Sequence, residues 1–286
     1  MGSPNLTWWP SPAKLNLFLH INGQYPNGYH QLQSLFQILD YGDELAFEMN
    51  SSNQITLANP IAGVADEDNL IVKAAKLLKQ SLPKYKVKNQ GCHIHLNKRL
   101  PMGGGIGGGS SNAATTLLVL NHLWNAGLSN TELAALGLTL GADVPIFIHG
   151  NTAFAEGVGE QLKPVKLASK TYLVLFPDSH ISTAEIFSLP NLPRTTAKIN
   201  FEEYSFNQTH NDCQNSVCER YPNVAIALDW LLEYAPSRMT GTGACVFAVF
   251  ESRQEALNVQ NLLPKGSTSF VANGVNTSLL HRQIQA

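Results

Sequence analysis

Residues 101–112 read Pro101-Met-Gly-Gly-Gly-Ile-Gly-Gly-Gly-Ser-Ser-Asn112 and lead into the apolar segment Ala113–Trp124. Glycine loses more backbone freedom on folding than any other residue, so a run of six persists where the chain needs positive φ or a ligand approaches the main chain. The serines that follow can cap a helix, whose start offers free N–H groups and the positive end of a dipole. The stretch therefore predicts a cradle for an anion, above all a phosphate.

Three other loop types could also explain this glycine run. Gly103, Gly105 and Gly108 satisfy the dinucleotide pattern, but so glycine-rich a run satisfies almost any glycine pattern, and the surrounding βαβ unit with its acidic residue is not evident. A P-loop would need Gly-Lys-Ser/Thr, and no lysine follows the last glycine. A flexible linker rarely stands between a strand and a capped helix. The run therefore stays a candidate anion cradle that fits neither of these two nucleotide-binding patterns.

The composition narrows the class of protein. Of 286 residues, 44% are hydrophobic and 14% charged, which predicts a well-filled core and excludes a disordered chain. A formal net charge of −2 without a long basic run argues against nucleic-acid and membrane partners. Four scattered cysteines and an N-terminus without signal-peptide or transit-peptide features favour a reduced location, and we expect a bacterial cytoplasm.

Periodicity predicts an α+β protein with an irregular alternation of elements. Strands are predicted over residues 11–21, 43–49, 54–58, 92–96, 172–176 and 267–272, with a strand start at 146–148. Helices are predicted over residues 70–82, 110–124, 183–187, 224–234 and 252–263, and from the capping box at Ser129 to near Gly141. The polar segment 194–211 has no assignable pattern. We expect domains at 1–152 and 153–286, with about the last 12 residues returning to the first domain.

The glycine loop resembles the phosphate loop of the GHMP superfamily, named after galactokinase, homoserine kinase, mevalonate kinase and phosphomevalonate kinase. Two further motifs agree with it in order and spacing, Pro10-Ser-Pro-Ala-Lys-Leu-Asn-Leu17 and Thr240-Gly-Thr-Gly-Ala-Cys-Val-Phe247. The resemblance implies an N-terminal ATP-binding domain like ribosomal protein S5 and a C-terminal ferredoxin-like α/β sandwich. It also implies ATP-dependent phosphorylation of an alcohol.

Four shorter segments resemble superfamily members that act on a cytidine diphosphate derivative. These are Gly28–His30, Gln37–Asp43, Glu67–Leu70 and Leu140–Pro145. The resemblance then pairs Asp143, as general base, with Lys14, as the cation that orients it and stabilises the transferring group. Phosphoryl transfer to a hydroxyl needs both a base and a cation. The sequence alone would not pair two residues so far apart.

The resemblance also implies which residues contact each ligand. The predicted ATP contacts are Pro101, Met102, Gly103, Gly104, Gly105, Ile106, Gly107, Gly108, Gly109, Ser110, Ser111, Asn112, Asn69 and Lys98. For the cytidine substrate, Tyr29 and Phe187 resemble a stacking pair, and His30 resembles the residue that reads the cytosine edge. The remaining predicted substrate contacts are Asn16, Asp143, Thr183, Thr242 and Gly243.

ATP transfer implies Mg²⁺. Ser110 or Ser111 could hold the ion, and no glutamate stands out as its second ligand. A monomer or weak homodimer is expected. Two rival functions are another superfamily kinase, acting on homoserine or mevalonate, and a non-catalytic nucleotide sensor. The ring pair at Tyr29 and His30 argues against a homoserine or mevalonate kinase, because those small acceptors carry no base. Retention of Lys14 and Asp143 argues against a non-catalytic sensor.

Overall fold

The computed structural model describes residues 6–61, 63–83 and 90–285. Its strands are β1 (Trp8–Gln24), β2 (His30–Asn50), β3 (Ile55–Leu57), β4 (Gly91–Asn97), β5 (Ala153–Glu156), β6 (Gln161–Pro164), β7 (Thr171–Phe176), β8 (Ser237–Met239), β9 (Val246–Phe250) and β10 (Thr268–Val275). Its helices are α1 (Leu70–Ser81), α2 (Gly108–Leu123), α3 (Asn130–Leu138), α4 (Val144–His149), α5 (Thr183–Ser188), α6 (Gln214–Arg220), α7 (Pro222–Leu232), α8 (Arg253–Gln260) and α9 (Leu279–Gln285).

One long strand, β2, organises the sheet. It pairs antiparallel with β1 along most of its length, and it also pairs with β4, β5 and β10. The main path runs β3-β4-β2-β10-β7-β9-β8. β10 joins the two halves, because its end pairs with β2 through Gly274 and Val275 while its body pairs with β7. The first half of the chain and the second therefore share a continuous sheet.

Three buried apolar clusters fill the molecule. The first packs α1, α2 and α4 against β2 and β4, with Leu78, Ile94 and Leu117 among its members. The second lies between β7–β10 and the helices α5–α8. The third joins the halves, because Phe18 of β1 and Phe247 of β9 belong to the same cluster. The site described below lies where these halves meet.

Most elements with a clear period form as predicted, and the capping box at Ser129 is present. The predicted strand start at 146–148 is wrong. These residues lie in α4, which has Pro145 in its first turn and ends at Gly150 in the left-handed region. The prediction also missed residues 30–42 of β2, the strands β5 and β6, and α9.

Within the described ranges, no helix is both long and apolar enough to cross a membrane.

Candidate active site

The glycine loop connects β4 to α2 through three positive φ angles, at Gly103, Gly105 and Gly107. The predicted serine cap is wrong, because α2 begins at Gly108 and its N-cap is Gly107, which makes no side-chain bond. A Cβ on Gly105 would lie 2.6 Å from the Thr240 carbonyl oxygen and 2.8 Å from that of Gly243. Only glycine lets the two loops approach this closely.

Backbone bonds hold three sequence motifs together at this point. The Lys14 N–H donates to the Ile106 carbonyl at 3.0 Å, and the Cys245 N–H donates to the Gly104 carbonyl at 3.0 Å. The Asn16 N–H donates to Thr240 Oγ1 at 2.9 Å. The start of β1, the glycine loop and the turn before β9 therefore form one rigid unit.

A buried carboxylate, Asp43, fixes the base of the loop. Its Oδ1 accepts from the N–H groups of Arg99 and Leu100, each at 2.7 Å. Its Oδ2 accepts from Lys98 Nζ at 2.8 Å and from Asn112 Nδ2 at 3.0 Å. Sequence reasoning missed this role, although Asp43 ends one of the motifs that carried the resemblance.

The side chains of two predicted ATP contacts, Ser111 and Asn112, make hydrogen bonds within the fold. Asn112 is 2% exposed and its Oδ1 accepts from Ser11 Oγ at 2.6 Å, while Ser111 has no exposed surface and lies 3.0 Å from Ser11 Oγ. Both side chains are therefore bonded to the fold beneath the loop, and Asn112 also lines the cavity that runs along the loop. Lys98 is partly exposed beside the loop, but its ammonium already contacts Asp43 and the Leu100 carbonyl.

Lys14 and Asp143 form the charged centre of the site. Lys14 Nζ lies 2.6 Å from Asn16 Oδ1, 3.0 Å from the Gly105 carbonyl oxygen and 3.2 Å from Asp143 Oδ2. The Lys14 side chain is 3% exposed, whereas that of Asp143 is 37% exposed. Asn16 is held in turn by Ser34 Oγ, which accepts from Asn16 Nδ2 at 2.8 Å. The ammonium is fixed, and the carboxylate opens into a cavity.

Two cavities meet at this centre. The first, of about 290 Å³, is called the Lys14 cavity. The second, of about 340 Å³, lies along the glycine loop and is called the loop cavity. Gly105 and Ser110 line both of them. Two ligands, one in each cavity, would therefore meet beside Lys14 and Asp143.

The Lys14 cavity collects most of the residues predicted to bind substrate. It is lined by Lys14, Asn16, Asp143, Thr183, Phe187 and Thr242. The hydroxyls of Thr183 and Thr242 form a hydrogen bond of 2.9 Å in its wall. Gly243 lies behind this wall, where a Cβ would come within 3.0 Å of Ile181 and Met239.

The two residues predicted to stack on the pyrimidine, Tyr29 and Phe187, lie in different surroundings. Tyr29 is 65% exposed in the turn before β2, and the ring against Phe187 is His30, with centroids 5.0 Å apart and planes at 27°. Arg194 Nε donates to His30 Nε2 at 3.1 Å. Burial, and then Arg194, lower the pKa of His30. Sequence reasoning missed Arg194, which lies in the segment without a pattern.

The loop cavity is bordered by Asn69, Lys98 and residues 101–110. Asn69 is the N-cap of α1, where its Oδ1 accepts from the Ile71 N–H at 2.9 Å. Its Nδ2 is buried and has no partner within the described ranges. A buried amide without a partner is costly, and because Asn69 lines this cavity, a ligand that reached Nδ2 would remove that cost. The described residues contain no cluster of three or more His, Cys, Asp or Glu that could hold a metal.

Comparison with known proteins shows which family these features belong to. The family model "GHMP kinases N terminal domain" matches residues 69–151, and "GHMP kinases C terminal" matches residues 194–266. A crystal structure of 4-(cytidine 5'-diphospho)-2C-methyl-D-erythritol kinase superposes with a TM-score of 0.82 at 29% identity, covering 94% of this chain and 100% of that one. The predicted two-domain α+β fold of the superfamily is confirmed.

Two bacterial relatives are more similar in sequence. The 4-diphosphocytidyl-2-C-methyl-D-erythritol kinase of Pseudoalteromonas atlantica is 66% identical over 279 residues, which cover 98% of this chain and 96% of that protein. The enzyme of the same name from Shewanella loihica is 58% identical over 281 residues, which cover 98% of each chain. The chain therefore belongs to the GHMP kinase family, in the group whose named members are 4-diphosphocytidyl-2-C-methyl-D-erythritol kinases.

Proposed function

We propose that the protein transfers the γ-phosphate of ATP to the 2-hydroxyl of 4-diphosphocytidyl-2-C-methyl-D-erythritol. The products are the 2-phosphate and ADP, in the route to isoprenoid precursors that does not pass through mevalonate. The observation that carries the proposal is the ion pair between the buried Lys14 and the partly exposed Asp143, with Nζ and Oδ2 3.2 Å apart, at the junction of two cavities. The names of the relatives support the choice of substrate.

In this proposal the loop cavity takes ATP. The free N–H groups at the start of α2 and the positive end of its dipole hold the phosphates. Asn69 Nδ2 supplies a further donor at the cavity wall. The γ-phosphate then lies beside Gly105 and Ser110, the residues that the two cavities share.

The acceptor lies in the Lys14 cavity. Asp143 removes the proton of the hydroxyl as it attacks, and its exposed carboxylate is free to do so. Lys14 holds Asp143 in place and stabilises the negative charge on the transferring group. Because phosphoryl transfer depends on positioning and charge more than on covalent chemistry, the rigid surroundings of Lys14 are suited to this role.

At the junction of the two cavities, Mg²⁺ would take most of its oxygen ligands from phosphate and water and few from the protein. It is a hard cation that binds proteins through few oxygen ligands and the phosphates of its nucleotide. Ser110, which lines both cavities, is the residue that would contact it, and Ser111 is excluded by its burial. When bound, the ion supplies neutralisation of phosphate charge.

The base of the substrate distinguishes this function from that of other kinases in the family. Phe187 presents a ring to the Lys14 cavity, and His30 lies against that ring. A pyrimidine uses both a flat surface and a polar edge, whereas mevalonate and homoserine use neither. The predicted domain boundary, the monomer or weak homodimer and the cytoplasmic location stay predictions within this proposal.

A coupled ADP-release assay with a panel of acceptors tests the proposed function. The purified protein is incubated with ATP, Mg²⁺ and one of three alcohols: the cytidine substrate, mevalonate or homoserine. ADP release well above the acceptor-free background is expected with the cytidine substrate alone. Release with mevalonate or homoserine, and none with the cytidine compound, would overturn the assignment.

A further inference from the structure

Arg194 has every one of its hydrogen-bond donors occupied. Its Nη1 donates to the carbonyls of Pro190 and Leu192, at 3.4 and 3.0 Å. Its Nη2 donates to the carbonyls of Phe187 and Leu189, at 3.3 and 2.7 Å. The fifth donor, Nε–H, points at His30 Nε2 from 3.1 Å. Since a guanidinium has five N–H groups in a planar fork, the orientation of Arg194 is fixed.

This contact determines the protonation of His30. A guanidinium has donors only, so His30 Nε2 has to accept the hydrogen bond and cannot carry a proton. The neutral ring must then carry its proton on Nδ1. His30 is also only 8% exposed, and burial disfavours the charged, doubly protonated ring. Arg194 thus leaves His30 with one defined N–H donor.

The Nδ1–H group is available to a ligand. Nδ1 has no hydrogen-bond partner in the part of the chain that the structure describes, and it is not among the fully buried unpaired atoms. The His30 ring lies against Phe187, which lines the Lys14 cavity. Arg194 also binds the Phe187 carbonyl. One guanidinium therefore positions both rings beside this cavity.

We infer that Arg194 is a specificity-determining positioning residue, which fixes His30 as the Nδ1–H tautomer so that the site selects cytosine over uracil. Cytosine N3 is an acceptor and matches this donor, whereas uracil N3 carries a hydrogen and would set two donors against each other. The inference rests on the proposed function, because it assumes a pyrimidine beside Phe187 and His30. A site built to form a hydrogen bond with its substrate discriminates strongly against an analogue that leaves the site's polar group without a partner.

The test compares kcat/KM for the cytidine substrate and for its uridine analogue. Arg194→Met removes the donors and keeps much of the side chain's length. The matched control is Arg220→Met, because Arg220 also supports α5, through Glu185 at 3.5 Å, and has no recorded contact with His30. In Arg194→Met the preference for cytidine is expected to fall roughly tenfold, the value of one hydrogen bond. The loss should appear in KM for the cytidine substrate, with kcat and KM for ATP changed less than about twofold.

A second measurement does not depend on activity. Nitrogen-15 spectra of the histidines in the full-length wild-type protein, with the His30 signals assigned from the His30→Gln variant, report which ring nitrogen carries the proton. We expect Nδ1–H in the wild type and a mixture of tautomers in Arg194→Met. If Arg194→Met does not fold, the wild-type spectrum decides.

The outcomes separate the two proposals. A wild-type His30 protonated on Nε2, or an unchanged preference in Arg194→Met, would overturn the inference while leaving the proposed function intact. A wild-type protein inactive with the cytidine substrate would overturn the proposed function, and the spectrum would then still report whether Arg194 sets the tautomer.

Discussion

At the scale of single residues, the site depends on how Lys14 is enclosed. Its ammonium is buried, yet three oxygens lie within 3.2 Å of it, those of Asn16, Gly105 and Asp143. A buried ammonium needs such partners, because an unpaired charge is very costly away from water. Two of these oxygens belong to the rigid β1 and glycine-loop unit, so Asp143 is the partner that can exchange contacts with a ligand.

His30 is expected to serve the cytidine substrate and not ATP. In His30→Ala the KM for the cytidine substrate should rise roughly tenfold or more, because a ring contact and a hydrogen bond are both lost. The KM for ATP should stay within about twofold, since the loop cavity is untouched. Steady-state kinetics with each substrate varied in turn measures both values. An equal rise in both would show that His30 supports the fold and not base recognition.

His20 makes the stability of the protein depend on pH. It is 3% exposed and packs against the rings of Phe18 and His210, at 4.7 and 4.6 Å. Burial, then His210, lower its pKa to about 4, and Asp212 opposes this shift. Between pH 4 and 6.5 the unfolded chain therefore binds a proton that the folded protein does not. The free energy of unfolding falls as the pH falls through this window.

The measurement is urea unfolding at pH 7 and pH 5. His20 should contribute about 2 kcal/mol of the stability lost between these values. Between pH 7 and pH 5, the free energy of unfolding should therefore fall by about 2 kcal/mol less in His20→Gln than in the wild type. In His122→Gln, which changes an exposed histidine, it should fall by as much as in the wild type. Equal losses in all three proteins would mean that His20 titrates in the same range folded and unfolded.

At the scale of elements, the glycine loop and the turn before β9 are held at backbone contact. Gly105→Ala places a Cβ against two carbonyl oxygens of that turn, at 2.6 and 2.8 Å, and also forces alanine to a φ of +72°. The loops must separate, which displaces Gly105 from Lys14 and from both cavities. Turnover should fall at least tenfold, because small displacements of a phosphoryl-transfer site are costly.

Gly266→Ala provides the control for this substitution. Gly266 also has positive φ, at +91°, but nothing lies within 4 Å of its Cβ position. Its substitution should cost about 1 kcal/mol of stability from backbone strain and leave turnover unchanged. Near-normal activity in Gly105→Ala would show that the close approach of the two loops is not required.

Local sequence patterns predicted most helices and strands whose apolar residues recur with a clear period. The strand predicted over residues 11–21 forms as part of β1, and in it the side chains of Lys14 and Asn16, two positions apart, meet on one face. The strand start at 146–148 failed because three apolar residues fit a short helix equally well, and Pro145 and Gly150 decide for the helix. Residues 30–42 were missed because this strand, buried in the middle of the sheet, carries polar side chains such as Gln33 and Gln37.

The site was predictable only in part, for a physical reason. Its three loops carry recognisable motifs, so Lys14, Asp143 and the glycine loop could be found. Asp43 and Arg194 could not, because each acts through partners that are distant in sequence, up to 69 and 164 positions away. The ring contact between His30 and Phe187 was not predicted either, because a motif does not show which of its side chains are buried together.

At the scale of the whole molecule, the site lies on the joint between the two halves. The phosphate loop, Lys14 and Asp143 come from the first half, whereas Thr183, Phe187 and Thr242 come from the second. The joint is firm, because β10 pairs with β2 and Asp40 accepts two bonds from Asn273, each at 2.7 Å. Rigid positioning of ATP against its acceptor follows from this continuous sheet.

In the proposed mechanism Asp143, beside Lys14, accepts the proton of the acceptor hydroxyl during transfer. Phosphorus-31 NMR of a reaction containing ATP, Mg²⁺ and the cytidine substrate follows formation of the new phosphate monoester directly. The wild type should form the 2-phosphate, and Asp143→Asn, which preserves shape and removes the base, should form it roughly 100-fold to 10,000-fold more slowly, with ATP binding retained in calorimetry. Formation of the 2-phosphate by Asp143→Asn at close to the wild-type rate would show that Asp143 is not the base.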